Sequence, residues 1–534
     1  MSTSLRRSDT LRRTAIALLA AGLTAASLAA CSSGGSSPSS APADENSTLT
    51  MQFVGPPILG LDPAYEAGGT SVVYSSLAYD SLLYQQPDGT ISPDLATSWK
   101  LSEGNKVLTL KIRKGVKFSD GTSLTPDAVV TWLNYFKGTA GIRNYELADM
   151  TSATASGDSV TITMSSPNPD LPLLLTQSYG AGFVASPKAL KVPKSLNNAS
   201  AGTGPFIFDA KQSVTGDHYT YVKNPHYWNK SAVHYGKVVV KVVSDANTIL
   251  SAVQSGQLNV ALGNSTTAKS AKAAGITLTT AKGSGSTALF LLDRAGQTVK
   301  ALGDVRVRQA INYAIDREAI VKALQPNGYA VPTSQLLRPG QPGFSAKQDD
   351  AYPYNVKKAK QLLAEAGYPD GFTFTAMCNA ALGNCGVAQA VASSLSDSGI
   401  TMQIDEENQV QTFNTKFGSG TVPAVFFGTG DTTFLSAQQW LPTNSFQNSY
   451  KSTDTQLTSD FQALGSATSA SAADEAATKL NDRVLELAWF APILRTDQLF
   501  YSKGVTGVAA SSKAPTYYSP VDPTGKHSWR PASK

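Results

Sequence analysis

The sequence predicts an α/β fold divided into at least two lobes. The chain has 534 residues, more than a single hydrophobic core covers. Its second half alternates helix and strand signals, the pattern of a sheet with helices packed on it. Hydrophobic residues make up 41% of the chain, as in an ordinary globular protein, whereas charged residues make up only 16% against a usual ~25%.

Residues 1–30 read as a targeting segment and stand outside the fold. Arg6, Arg7, Arg12 and Arg13 form a basic start, and residues 15–30 are small or apolar without a charge. That run is short for a membrane span of ~20 residues. It ends in Leu28-Ala29-Ala30-Cys31, which resembles a bacterial lipobox, with cleavage before Cys31 and diacylglycerol on its sulfur. A plain signal peptide ending near a cysteine is the alternative, and the paired arginines leave the twin-arginine export route open. Four arginines and one aspartate in this segment account for +3 of the net charge of +5, leaving +2 for the mature chain. Such a surface gives no electrostatic reason to expect nucleic acid or an anionic membrane as partner.

Residues 32–48 read SSGGSSPSSAPADENST, a flexible tether with little to bury. In the body, residues 109–112 alternate as a half-buried strand does. Ser119-Asp120-Gly121-Thr122 is a turn. Thr125-Pro126-Asp127 supplies a cap, a first-turn proline and an acid, so a helix is expected over 126–136. Another helix follows Asp304, with Val307, Ile311, Ala314 and Ile315 on one face. A third opens at Asn355 and stops at Gly367. Residues 387–397 form a further helix, 400–404 a strand and 472–488 the last helix, followed by an apolar stretch around Ile493. Cys378 and Cys385, with six residues between them, most plausibly form a disulfide in an oxidising compartment. Metal binding there is the weaker alternative, with no histidine nearby and two thiolates alone making a poor site.

Several motifs together carry a family resemblance. They are Leu61-Asp62-Pro63, Tyr79-Asp80-Ser81-Leu82, Pro93-Asp94-Leu95-Ala96, and LTLKIRKGVKFSDGTSLTPDAVV over residues 108–130. Gly202-Thr203-Gly204-Pro205-Phe206, Asn224-Pro225-His226-Tyr227-Trp228 and VRVRQAINYAIDREAIV over 305–321 follow in order. The sequence resembles the family 5 solute-binding proteins of oligopeptide, dipeptide and nickel importers of the ATP-binding-cassette class, in lipoprotein form. Most of these marks read as structural, with Trp99, Trp132 and Trp228 as core anchors.

The resemblance implies a two-lobed periplasmic-binding-protein fold with a hinge between the lobes. Lobe I spans 49–290 with an extra subdomain at about 72–190. Lobe II spans 291–491, and 492–534 return to lobe I. The chain is expected to cross near 288–292 and 492–496, with the ligand enclosed by closure about those crossings. A peptide or peptide-like ligand, permease subunits with their ATPases, a monomeric state, a lipid tie to the outer face of the cell membrane and no cofactor are implied.

A peptide ammonium in a dry cleft needs a carboxylate. Family members that bind peptides place an aspartate in lobe II, and Val425-Phe426-Phe427-Gly428-Thr429-Gly430-Asp431 resembles its setting. Asp431 is therefore the candidate, with Gly430 and Thr429 beside it; the alternative is a turn aspartate capping its own loop. The arginine that dipeptide binders carry for the ligand carboxylate has no match between Met377 and Gln389, which favours a longer peptide or another solute. From lobe I, Glu66, Gly68 and Gly69 are candidates for close backbone approach to the ligand, or for a simple turn. Tyr74 and Trp440 are weaker candidates.

An enzyme is not expected, since G-x-S-x-G, H-E-x-x-H and G-x-x-x-x-G-K-[ST] patterns are missing. His218, His226 and His234 recur every eight residues, which is not a chelating pattern on a helix. Import of nickel, haem or an oligosaccharide, and ligand sensing without import, remain alternatives.

Overall fold

In the computed structural model the described residues are 47–57, 60–65, 72–139, 141, 143–192, 194–514 and 518–532. Two long antiparallel strands, Thr277–Leu291 and Phe490–Ser502, lie at the centre of an eleven-stranded sheet and run from one lobe into the other. On one side lie Val260–Gly263, Thr48–Phe53, Lys237–Val242, His218–Lys223 and Phe206–Phe208; on the other lie Ala424–Thr429, Phe372–Asn379 and Ile400–Glu407.

Composition explains where the long strands change lobe. Thr277–Leu291 is polar at its start, glycine-rich at Gly283-Ser284-Gly285 and fully apolar at its end. Its pairing register shifts between Ala281 and Gly285, and Gly283 adopts a positive φ of 56° that a side chain would disfavour. Beyond the shift, Ala288 to Leu292 are buried among lobe II side chains. That apolar stretch pairs with Ala424–Thr429. On the partner strand, Ile493 and Leu494 belong to the same core as Leu289 and Leu291, whereas Phe500 packs with Leu49 and Met51.

Each lobe has its own core. The first gathers Leu49, Met51, Trp132, Phe183, Val238 and Val240 with Phe500, Tyr518 and Trp529 from the chain's end. The second holds Leu289, Ile311, Leu363, Phe374, Ile400 and Ile493, with Phe290, Phe417, Trp440, Trp489 and Phe490 in an adjoining aromatic cluster. The lobe I subdomain carries a four-stranded antiparallel sheet of Ala96–Ser102, Val107–Ile112, Ser159–Met164 and Met150–Ser156. Against it packs the helix Pro126–Gly138, where the Thr125 hydroxyl accepts from the Ala128 N–H as a cap does. Trp132 is buried and its indole donates to the Ala181 carbonyl at 3.1 Å.

Local signals fixed most helix starts. Asp304, Asn355 and Ser469 cap Val305–Tyr313, Val356–Glu365 and Ala470–Leu487. The helix after Asp304 ends sooner than its apolar face suggests, because Asp316 accepts from the Ala319 N–H and starts a second helix, Arg317–Leu324. Gly202 and Gly204 lie against the end of the helix Val72–Ala78; a Cβ at Gly202 would sit 2.3 Å from the Ala78 carbonyl oxygen, closer than any side chain tolerates.

The lobes meet away from the crossings. Leu173, Leu174 and Tyr179 of lobe I pack against Phe434, Leu435, Leu464, Ala476 and Ala477 of lobe II. Beside this seam the Asn105 amide donates to the carbonyls of Gly465 at 2.9 Å and Ala467 at 2.8 Å.

Candidate functional site

Between the seam and the crossing strands lies a cavity of about 490 Å³, within the range of small-ligand sites. Lobe I contributes Phe53, Val72, Val73, Arg143 and Tyr179; lobe II contributes Arg338, Gly430, Asp431 and Thr432; the crossing strands contribute Ser284, Gly285, Thr496, Asp497 and Gln498.

Asp431 reaches this cavity because the strand Ala424–Thr429 passes from buried Ala424, Val425 and Phe426 into a glycine-bearing turn. Its Oδ1 accepts from the Tyr179 hydroxyl at 3.0 Å, across the seam, and its Oδ2 from the Gln439 amide at 2.7 Å. The residue that caps the next helix, Thr433–Trp440, is Thr432, whose hydroxyl oxygen accepts from the Leu435 N–H at 3.1 Å. The turn-capping role considered for Asp431 therefore falls to its neighbour. The Thr432 hydroxyl also donates to Asp170 of lobe I.

Arg338 organises the loop. Its Nη1 donates to the carbonyls of Ser284 at 2.7 Å and Ser512 at 3.0 Å, and its Nη2 to those of Gly430 at 2.6 Å and Asp431 at 3.2 Å. One guanidinium thus ties the crossing strand, the lobe I return and the Asp431 loop together. Burial lowers its pKa, and the Asp431 charge opposes that shift.

The other sequence candidates separate. Gly430 lines the cavity. Thr429 stands one residue back, its hydroxyl sharing a 2.6 Å hydrogen bond with Ser286. Tyr74 is a core residue: it is 1% exposed, donates to the Gly55 carbonyl at 2.7 Å and packs against Phe53 and Tyr219. Trp440 is buried against Trp489 and Phe490. Neither ring lines the cavity, because both are apolar enough to be drawn into their lobe's core. Glu66, Gly68 and Gly69 lie outside the described residues, as does Cys31. Cys378 and Cys385 are joined by a disulfide that ties the end of Phe372–Asn379 to the start of Cys385–Ser396. Tyr179, Arg143 and Arg338 were missed, since nothing local in sequence marks a side chain that reaches a cleft through long-range packing.

Burial pushes the Asp170 carboxyl up to about 6, with the Asp431 charge adding to the shift and the Thr432 hydrogen bond opposing it. Burial also raises Glu146, Asp62, Asp80 and Asp94. A carboxyl near 4 when unfolded and about 6 when folded adds stability fully below about pH 4, lost as pH rises through about 6. Ligand-free protein is therefore expected to melt at a lower temperature at pH 7.5 than at pH 5. Asp170→Asn should remove part of that slope, at most about 3 kcal/mol. Calorimetry across pH checks this, and an unaltered slope in the variant contradicts it.

The architecture and the sequence agree with known proteins. A family model described as bacterial extracellular solute-binding proteins, family 5, middle region, matches residues 90–452. The chain belongs to this family. It is 32% identical over 344 residues to heme-binding protein A of Haemophilus influenzae, covering 59% of this chain and 61% of that one. It is 29% identical over 324 residues to glutathione-binding protein GsiB of Pectobacterium atrosepticum, covering 60% and 62%. The chain thus spans about three fifths of the length of these curated relatives. Among solved structures, the periplasmic binding protein AgaA of A. tumefaciens R10, in complex with agropinic acid, superposes with a TM-score of 0.78. It shares 24% identity, over 91% of this chain and 99% of its own. The oligopeptide-binding protein AppA of Bacillus subtilis, in complex with a nonapeptide, gives 0.74 at 20% identity, over 91% and 100%. The family 5 chain therefore has the two-lobed periplasmic-binding-protein fold.

Proposed function

We propose that this family 5 protein captures a peptide-like solute outside the membrane and delivers it to the permease of an ATP-driven importer. The observation that carries the reading is Asp431, a carboxylate set on the lobe II wall of an interlobe cavity beside an apolar seam. An enclosed ammonium group has its natural partner there.

The composition of the wall favours an organic amine over haem or nickel. Among the described residues, no histidine, cysteine or methionine lines the cavity, so the side chains that usually ligate these metals are missing from it. Tyr179 is a poor anionic ligand, because burial and the Asp431 charge raise its pKa. The potential metal-ligand group of Cys378, Cys385 and Glu406 lies at the disulfide, where both sulfurs are already bonded.

A thermal-shift panel tests this reading. Trialanine, tetrapeptides and glutathione are expected to raise the melting temperature by several degrees near saturation, about 2.7 kcal/mol at a hundredfold excess over Kd. Stabilisation by hemin or an oligosaccharide alone would overturn it.

The same proposal places the protein on the outer face of the membrane, held by lipid on Cys31. Cys31→Ser is expected to move it from the membrane fraction to the medium or periplasm. Retention of the variant in washed membranes counts against the anchor.

A further inference from the structure

We propose that lobe I holds a calcium-sized divalent cation between Asp80 and Asp94, in a small cavity of its own. The two acids come from the motifs Tyr79-Asp80-Ser81-Leu82 and Pro93-Asp94-Leu95-Ala96. Their cavity shares no lining residue with the interlobe one, so the proposal stands apart from the identity of the solute.

The two motif loops, Pro205, Tyr227 and the return segment at Ser519, Val521 and Pro523 enclose about 10 Å³, room for one water-sized occupant. Asp80 is 7% exposed and Asp94 1%. Asp94 accepts at Oδ2 from the Ser81 N–H at 3.1 Å and from the Ser81 hydroxyl at 3.3 Å. Its Oδ1 has no hydrogen-bond partner among the described residues. Asp80 accepts at Oδ2 from the Trp228 indole at 3.0 Å, and the Thr203 and Tyr227 hydroxyls favour its ionised form. A buried carboxylate oxygen on a cavity wall, without a donor, calls for a proton or a cation.

The local charge favours the cation. Tyr227, on the cavity wall, feels the charges of Asp80, Asp94 and Asp522. Asp522 is fully buried, its carboxylate fixed by the N–H groups of Thr524 at 2.7 Å and His527 at 3.0 Å. The cation felt at both Asp80 and Asp94 is Arg113, whose Nε donates to the Asp94 carbonyl at 2.9 Å. Three carboxylates against one guanidinium leave two negative charges uncompensated. Burial raises the Asp80 carboxyl to about 7 and, with the Asp80 charge adding to it, holds Asp94 well above the ordinary carboxylate range. A pair in that state gains from any positive charge placed beside it.

The wall also selects the class of cation. Among the described residues that line the cavity there is no histidine, cysteine or methionine, so the donors are oxygens, which suit hard cations. Magnesium keeps several of its waters, and a cavity of one-water size has no room for them. Calcium takes carboxylate and carbonyl oxygens in flexible arrays, and its double charge matches the deficit. A cation there clasps the return segment to the body of lobe I. It adds to the Tyr84 hydroxyl, which donates to the Val521 carbonyl at 3.2 Å, and to the Asn229 amide, which donates to that of Pro523 at 2.6 Å.

Terbium, an oxygen-seeking ion of calcium's size, reports the site, because the Trp228 ring bonded to Asp80 passes its excitation to a bound lanthanide. Titration of the EDTA-treated full chain is expected to give tryptophan-sensitised emission that saturates at a single ion per chain. Calcium should displace it and magnesium should not. Calcium should also raise the melting temperature by several degrees near saturation. Asp94→Asn should weaken terbium binding at least about tenfold. If that variant does not fold, Trp228→Phe replaces it, with a loss of emission expected while calcium still raises the melting temperature. Absence of saturable emission from the parent overturns the proposal. So does emission unchanged by the variant, which marks ions on the surface. A parent that melts alike in calcium and in EDTA overturns it too, and assigns the cavity to a water or a shared proton.

Discussion

Asp431→Asn is expected to weaken binding of an amine-bearing solute by ~30-fold or more while leaving the ligand-free protein folded. The reason is electrostatic rather than steric. The Asp431 carboxylate faces the cavity with two oxygens already oriented by Tyr179 and Gln439. An ammonium enclosed there without its counter-charge is stranded, at a penalty of about 2–5 kcal/mol, and each ~1.4 kcal/mol is tenfold in affinity. Asparagine nearly preserves shape and still accepts from the Tyr179 hydroxyl, so the seam should survive. Isothermal titration with a tripeptide that binds the parent protein, paired with melting of the ligand-free variant, separates the two effects. Unchanged affinity would show that Asp431 serves only the seam.

The second large effect is a pair of opposite outcomes from the same Arg→Met change made at two positions. Arg338→Met should destabilise the protein by about 3–5 kcal/mol, because four carbonyls lose charge-assisted donors that are individually worth about 1.5–3 kcal/mol, partly recovered by water. Arg294→Met should be neutral or stabilising, by up to about 4 kcal/mol. The Arg294 guanidinium is buried, and none of its three nitrogens has a hydrogen-bond partner among the described residues. It lies 4.0 Å over the Trp489 ring and 5.4 Å from that of Phe490. Burial and the nearby charge of Arg308 push its pKa well down. Methionine keeps the length and a favourable sulfur–aromatic contact while removing an uncompensated charge. Denaturant titrations of both variants decide the matter, and a similar large loss in each would contradict this reading of Arg294.

Much of the fold was legible because its signals are local. Thr125-Pro126-Asp127 states a helix start in three residues, and Asn355 and Asp304 do the same with one. Residues 109–112 and 126–136 marked one strand and the helix packed on it, while the other three strands of that sheet carried no such signal. The position of Asp431 on the cavity wall follows from an apolar strand that breaks into glycines and leaves the core. The burial of Ala288 to Leu292 follows from an unbroken apolar run, which marks a core strand without saying where the chain passes between lobes. Tyr74 and Trp440 were candidates by position alone, and burial removed both from the cavity wall. Arg143, Tyr179 and Arg338 were invisible for a physical reason. Their roles depend on partners distant in the chain, such as Tyr179 with Asp431 and Arg338 with Ser512, and no local pattern encodes such meetings.

The central claim is that the cavity between the lobes holds a small amine-bearing, peptide-like solute against Asp431. Mass spectrometry of the solute released from protein purified under native conditions tests it most directly. The expected result is a compound with a free amino group, small enough for a cavity of about 490 Å³, that is depleted from Asp431→Asn prepared in the same way. Recovery of haem, a nickel complex or a neutral oligosaccharide, at equal occupancy in parent and variant, would contradict it.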